Sequence, residues 1–340
     1  MAHQQMFMRA LDKGKRLIIL VGSANQPRTI KNPWTWQERA EMIYSTIPAE
    51  HHSRVKIRPL PDKKPMDNQW AKQVQNIVAS LTDSTNIAII GNKKDHTSYY
   101  LDMFPQWPLI EQHDIHTMHA TDIRNAYFGD SKFDVMGKHV FTGLPIGIYE
   151  YLQAFALTSK YEDLAKEYEF YNKYRSQWDA APYAVNFVTT DAVVIQSSHI
   201  LLVKRAAYPG KGLWALPGGF LNVNETVLDG TIRELKEETK IDCPVAVIRG
   251  SVGKYDGVKN LTTKVFDDPD RSLRGRTITH ATLFELKPGP LAKIKKSRDP
   301  NDVEDDAELA KWIPFTVFDK MEDQLFEDHY HIGQYMIANA

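Results

Sequence analysis

The sequence predicts two α/β domains in tandem, a doubly wound parallel sheet followed by an α/β/α sandwich, with a linker helix between them. Three patterns carry that reading. In the first 150 residues, apolar strand candidates at 17–21, 55–57 and 87–90 alternate with helical stretches at 36–46 and 68–81, the layout of a parallel sheet with crossover helices. Between 149 and 178, Tyr161, Leu164, Tyr168, Tyr171, Tyr174 and Trp178 recur at steps of three or four and so share one stripe of a helix, which Ala181-Pro182 ends. Beyond it, β-branched runs at 185–195 and 200–203, joined by a polar turn, lead through a glycine turn into an acidic helix at 226–239. The expected bounds are 1–150, 151–180 for the linker helix, and 181–340.

A chain of 340 residues can build two separate cores, since typical domains run to about 100–200 residues. Lys plus Arg number 42 against 43 Asp plus Glu, which leaves no overall basic field to hold nucleic acid. Cys243 is the only cysteine, so an intramolecular disulfide framework is excluded. No run approaches the roughly 18 apolar residues of a membrane span, and the N-terminus has no signal-peptide pattern. A soluble cytoplasmic enzyme acting on small molecules is expected, with no nucleic-acid or membrane partner and with self-association left open.

Chemistry is concentrated in the acidic helix. Gly219, Glu225, Arg233, Glu234, Leu235, Glu237 and Glu238 stand at the spacing Gly-x5-Glu-x7-Arg-Glu-Leu-x-Glu-Glu. On a helix, Glu234, Glu237 and Glu238 fall at i, i+3 and i+4 and share one face, while Leu228, Ile232 and Leu235 point the other way. Three carboxylates on one turn repel one another unless cations lie between them, and hard divalent ions such as Mg2+ take such oxygen ligands. The alternative is a solvated acidic face helped by Lys236 and Lys240.

The complete spacing resembles the signature of the Nudix hydrolases. That resemblance implies a Nudix α/β/α sandwich that uses Mg2+ or Mn2+ to hydrolyse a pyrophosphate linked to a nucleoside. Glu234, Glu237 and Glu238 would be metal ligands together with Gly218, Arg233 would hold a glutamate in place, and the turn from Pro217 to Gly219 would bring backbone against the substrate. Lys240 departs from the pattern where the family has a glycine suited to a left-handed cap, at a cost of about 1 kcal/mol. Gly230, inside the helix, costs about 1 kcal/mol relative to Ala, which implies either a close contact or a tolerated defect.

Upstream, the turn Gly22-Ser23-Ala24, the stretch Asn32-Pro33-Trp34-Thr35 and the segment His119-Ala120-Thr121-Asp122-Ile123-Arg124 resemble the archaeal type of nicotinamide-mononucleotide (NMN) adenylyltransferase, a Rossmann-like nucleotidyltransferase fold. The resemblance implies nucleotide-binding roles for His3, Ser23, Lys31, Trp70, Thr121 and Arg124. Arg124 and the N–H groups of its helix would bind ATP phosphates with Thr121 as the cap, Lys31 would face the phosphates, and Trp70 would stack on the nicotinamide ring. An ordinary Thr cap, a solvated lysine and a core aromatic are the respective alternatives. The family opens with a strand leading into a two-histidine phosphate motif. His3 stands at the spacing of the second histidine, so a nucleotidyltransferase domain lacking its first strand is expected, from a start placed too far downstream or a shortened chain, with little or no adenylyl transfer.

Joined, the halves resemble the bifunctional NMN adenylyltransferase/ADP-ribose pyrophosphatases, whose substrates are ATP, NMN and ADP-ribose. Arg271, Arg274 and Arg276 would hold phosphate or ribose oxygens of ADP-ribose along with Gly219, unless Asp267, Asp268 and Asp270 neutralise that turn. Glu304 would help activate water. Two rivals remain: a non-catalytic sensor of an NAD-derived ligand, and a hydrolase of another nucleoside diphosphate compound.

Overall fold

The computed structural model describes residues 2–62, 67–92, 96–112, 120–129, 144–250, 263–294 and 307–340. The chain divides into two compact units, Met1–Lys166 and Glu167–Ala340. No helix among the described residues is long and apolar enough to cross a membrane.

In the first unit, helix α1 (Ala2–Lys13) buries Phe7 and Leu11. Strands β1 (Leu17–Val21) and β2 (Val55–Pro59) pair in parallel, with Leu17 opposite Val55. Their apolar residues close a core with Ala40 of α2 (Trp36–Ser45) and with Ile47. A reciprocal cap starts α2: Thr35 Oγ1 accepts from the Glu38 N–H at 3.2 Å while the Glu38 carboxylate accepts from the Thr35 N–H at 2.7 Å. Helix α3 (Asp67–Ala79) packs Ala71 and Val74 with Leu60 and Phe104. A second parallel pair, β3 (Ile89–Gly91) and β4 (Leu109–Glu111), precedes α4 (Ala120–Gly129) and α5 (Ile146–Ala156). The parallel direction matches the alternation of strands and helices in the sequence. No described strand joins β1 to β3, so the two ladders stay separate, and α1 packs against both of those strands.

The single long helix expected over 149–178 is in fact two. Helix α5 ends at Ala156, and α6 (Ser159–Ser176) begins after Thr158, whose hydroxyl accepts from the Tyr161 N–H at 3.3 Å. A threonine that caps a new first turn competes with continuation of the old helix, and a stripe of aromatic residues does not register that competition. The boundary between the two units falls inside α6.

The second unit is built on a mixed sheet of β5 (Asn186–Gln196), β6 (His199–Arg205), β7 (Trp214–Ala215), β8 (Gly218–Phe220), β9 (Thr263–Phe266), β10 (Arg276–Glu285) and β11 (Ala307–Pro314). Its order is β11-β6-β5-β10-β9, with β7 on β6 and β8 on β5, and only the pairing of β5 with β10 is parallel. The two-residue alternation of β5 divides its apolar side chains between two cores. Ala192 and Val194 pack with Ile232 and Leu235 of α7 (Val227–Thr239) and with Ile248 of α8 (Val245–Gly250). Val193 and Ile195 pack with Phe318 of α9 (Phe315–Phe318) and Ile332 and Met336 of α10 (His329–Ala338). The result is the α/β/α sandwich expected, and it sets β8 beside the acidic helix α7.

Candidate active site

Helix α7 is defined at both ends by local chemistry. Thr226 Oγ1 accepts from the Asp229 N–H at 3.2 Å, and the helix stops at Lys240 in the left-handed region, φ 48° and ψ 35°, where its N–H donates to the Lys236 carbonyl. Lysine thus adopts the conformation that a glycine would take without strain.

Arg233 is the hub of the site. Its Nε and Nη2 donate to the two oxygens of Glu225 at 3.0 and 2.8 Å, a bidentate pair, and Nη2 also reaches the Phe220 carbonyl at 3.1 Å. Nη1 donates to Glu234 at 2.8 Å and Glu237 at 2.9 Å. Glu225 further accepts from the Asn222 N–H at 2.8 Å, and Glu238 accepts from the Gly218 N–H at 2.9 Å. The glycine turn and α7 are therefore laced together by Glu225 and by carboxylates of the acidic helix.

Two glycines permit this lacing. A Cβ on Gly219 would lie 2.5 Å from Glu234 Oε1, so only hydrogen fits between β8 and that carboxylate. A Cβ on Gly230 would lie 2.9 Å from both Glu225 Oε1 and Leu221 Cδ1, which decides for a close contact at that position. Gly219 thus packs against Glu234.

Burial pushes the Glu234 carboxyl up, with Arg233 pulling it back, while the Arg233 hydrogen bond holds Glu225 below the ordinary glutamate range. Arg233 itself is raised, first by its bond to Glu225. Glu225 thus keeps the arginine in place from the other side of the glycine turn. Among the described residues no three acidic, histidine or cysteine side chains stand as a preformed metal cage. Three carboxylates nevertheless share one face of α7, two of them held by one arginine, and this oxygen-only donor set fits a hard divalent cation.

The arginine turn differs from expectation. Arg271 is buried, and its Nη2 and Nε donate to both oxygens of Asp328 at 2.7 and 3.0 Å. Arg276 donates to the Asp267 carbonyl and lies 3.8 Å from the Asp267 carboxylate. Arg271 is thus spent on Asp328 within the protein, against its expected place on substrate, while Arg276 pairs with Asp267 at the surface. Arg274 alone of the three reaches the glycine turn, its guanidinium 5.3 Å from the ring centre of Phe220. Close by, the Leu216 N–H donates to His329 Nδ1 at 3.0 Å, and burial lowers that imidazole to about 3. Glu304 lies outside the described residues. Glu308, in the same acidic stretch, is 3.7 Å from Lys204.

In the first unit, Ser23 follows β1 in the left-handed region, φ 49°. Its N–H and Oγ donate to the two oxygens of Asp62 at 3.2 and 2.7 Å, and its carbonyl accepts from Arg39 at 3.2 Å. Lys31 is exposed on the same loop. Thr121 is not the cap of α4: the helix begins at Ala120, and the Thr121 hydroxyl accepts from Arg124 Nη2 at 3.2 Å. The ring of Trp70, on α3, is 6.0 Å from Phe104 and 6.2 Å from Tyr100, packed as part of an aromatic cluster. His3 is exposed in the first turn of α1, 6.3 Å from the Phe7 ring, and His119 lies outside the described residues.

Comparison with known proteins meets this geometry from both halves. The NUDIX domain family model matches residues 185–335. A nicotinamide/nicotinic acid mononucleotide adenylyltransferase of Acinetobacter baylyi is 33% identical over 169 residues, 49% of this chain and 86% of the relative. An ADP-ribose pyrophosphatase of Methanocaldococcus jannaschii is 36% identical over 121 residues, 34% of this chain and 63% of the relative. The crystal structure of a bifunctional NMN adenylyltransferase/ADP ribose pyrophosphatase from Francisella tularensis, complexed with AMP and Mn ion, matches 99% of this chain and 94% of its own at 34% identity and a TM-score of 0.84. The chain belongs to the bifunctional NMN adenylyltransferase/ADP-ribose pyrophosphatase family.

As a member of that family the protein is an enzyme of NAD metabolism. Sequence reasoning missed several polar groups that brace these turns. Asp191 is buried on β5 and accepts from Thr279 Oγ1 at 2.5 Å, and a lone charge inside the strand-like run 187–195 was its available signal. Asp62, Asp328 and His329 carry no such mark, because each acts on a residue 39 to 113 positions away.

Proposed function

We propose that the second unit of this bifunctional enzyme hydrolyses ADP-ribose to AMP and ribose 5-phosphate, with Mg2+ or Mn2+ held by Glu234, Glu237 and Glu238 beside the Gly218 turn. The single observation that carries this reading is the face of α7, where those carboxylates stand together and Glu238 is tied to the Gly218 N–H at 2.9 Å. A bound divalent ion would neutralise phosphate oxygens and polarise an attacking water. The protein's own part is orientation. Glu225 anchors Arg233, Arg233 aligns Glu234 and Glu237, and Gly219 leaves room for Glu234 against β8. The relative crystallised with AMP and Mn ion supports both the product and the class of metal.

We assign to the first unit the transfer of an adenylyl group from ATP to NMN, giving NAD and pyrophosphate, supported by the Acinetobacter baylyi relative. The turn after β1, fixed by Asp62 and Arg39 around Ser23, lies at the C-terminal end of a parallel strand, where sheets of this kind receive ligands. Arg124, in the first half of α4, offers a guanidinium for phosphate.

The test is chromatographic. The wild-type chain releases AMP from ADP-ribose with Mg2+ or Mn2+ and not with a chelator. Glu238→Gln and Glu237→Gln keep the circular-dichroism spectrum and lose nearly all turnover, because an amide keeps the shape and removes the charge that binds metal. Binding of ADP-ribose without AMP release under either metal would replace hydrolysis by sensing. Formation of NAD from ATP and NMN by the same preparation tests the first unit.

A further inference from the structure

The segment from Leu216 to Gly218, where β7 gives way to β8, has only two backbone donors, because Pro217 between them carries no N–H. One of them, on Gly218, donates to Glu238 Oε2 at 2.9 Å and so holds a carboxylate of the acidic face of α7. The other, on the buried Leu216, donates to Nδ1 of His329, the first residue of α10, at 3.0 Å. An imidazole nitrogen that accepts an N–H is the one without a proton. Asp191 Oδ1 stands 4.0 Å from that nitrogen, beyond hydrogen-bond length, so the amide and not the carboxylate is its partner.

The turn has little slack. The Pro217 carbonyl accepts from the Ala192 N–H at 2.7 Å, and a Cβ on Gly218 would collide with the Thr190 carbonyl oxygen and lie 2.5 Å from Asp191 Oδ1, so the backbone is pressed against β5. The Phe326 N–H donates to the Trp214 carbonyl at 2.8 Å, which lays the segment leading to His329 beside the segment leading to Leu216. Without the His329 acceptor, the buried Leu216 N–H must stay unpaired or turn toward another group, and an unpaired buried donor is costly enough to drive the backbone round. A rotation at Leu216 passes through Pro217, whose ring fixes its φ, to the Gly218 N–H, and from there to Glu238.

We propose that His329 is a positioning residue for the hydrolase: by holding the Leu216 N–H it fixes the Gly218 N–H, and through it the Glu238 carboxylate, where the divalent ion binds. This rests on the hydrolase reading and adds to it a residue from the opposite layer of the sandwich, acting through the turn rather than on the ion or the substrate. The metal carboxylates are then aligned from both layers. Arg233 sets Glu234 and Glu237 from within α7, and α10 sets Glu238 through the turn.

Mn2+ binding to the full chain, followed by the electron paramagnetic resonance of the free ion, tests the proposal, and the binding lost in Glu238→Gln marks the site on α7. His329→Leu, which fills the space and removes the acceptor, weakens that Glu238-dependent binding about 10- to 100-fold, the range for removing a group behind a metal ligand. His329→Asn, whose side-chain oxygen still accepts from an N–H, recovers most of it. Met336→Ala, which opens a cavity elsewhere on α10, lowers the melting temperature and leaves Mn2+ binding at the wild-type value. In the Glu238→Gln background His329→Leu has no further effect, because the carboxylate it positions is gone. Mn2+ binding in His329→Leu equal to wild type overturns the proposal. So does a loss that Met336→Ala shares or that His329→Asn fails to relieve, which would make the effect one of stability. Wild type that binds no Mn2+ through Glu238 sinks the metal assignment and the proposal together. Binding that depends on both Glu238 and His329, in a chain that releases no AMP from ADP-ribose, would instead sink the hydrolase reading and leave the positioning role standing.

Discussion

Gly230→Ala sets two effects on α7 against each other, and the structure decides between them. Helix propensity alone predicts a gain of about 1 kcal/mol for alanine inside a helix. The new methyl, however, would lie 2.9 Å from Glu225 Oε1 and from Leu221 Cδ1, well inside the roughly 3.5–4.0 Å of a relaxed contact. Glu225 cannot withdraw cheaply, since retreat stretches its bonds of 2.8 and 3.0 Å to Arg233 and 2.8 Å to the Asn222 N–H. Overpacking of this kind costs about 1–3 kcal/mol, so the net effect is a loss of about 1 kcal/mol. For a unit of this size that lowers the melting temperature by about 2–4 °C. Activity falls as well, because a displaced Glu225 releases the arginine that aligns Glu234 and Glu237. Differential scanning calorimetry and AMP release read the two effects separately. A melting temperature raised by a few degrees with kcat/KM unchanged would refute the reasoning, because it would mean that Glu225 is not held where its hydrogen bonds place it.

Lys240→Gly should have the opposite sign: relief of the left-handed lysine at φ 48°, less the extra freedom of glycine in the unfolded chain, stabilises by about 1 kcal/mol, seen as a rise of about 2–4 °C in calorimetry with turnover unchanged. His329, neutral in the fold with its pKa lowered to about 3, makes stability depend on acid. Between pH 6.5 and 3 the unfolded chain binds a proton that the folded chain refuses, so stability is complete above 6.5 and declines as pH falls, by at most about 1.4 kcal/mol per unit from this group. Urea unfolding at pH 7 and pH 5 should show that decline, and His329→Asn, which offers the Leu216 N–H an acceptor that does not titrate, should flatten it.

The sequence by itself determined what repeats locally. The two-residue alternation of 185–195, the three- and four-residue steps that gather Glu234, Glu237 and Glu238, and the parallel layout of the first unit follow from the backbone geometry of single elements, and each appears as an element of that kind in the structure. Even the penalty at Lys240 was legible, because a helix cap is a local event. The break at Thr158 was local too, yet a strong aromatic stripe on both sides concealed it. Only the tertiary structure decided what each charge would meet. Arg271 was a candidate for substrate until Asp328 was found beside it, and Gly230 could be a close contact or a defect until Glu225 was seen against it. The physical reason is range: backbone propensity acts over a few residues along the chain, whereas a buried charge is answered by whatever folding brings within 3 Å, and for Leu216 that was His329, 113 residues away.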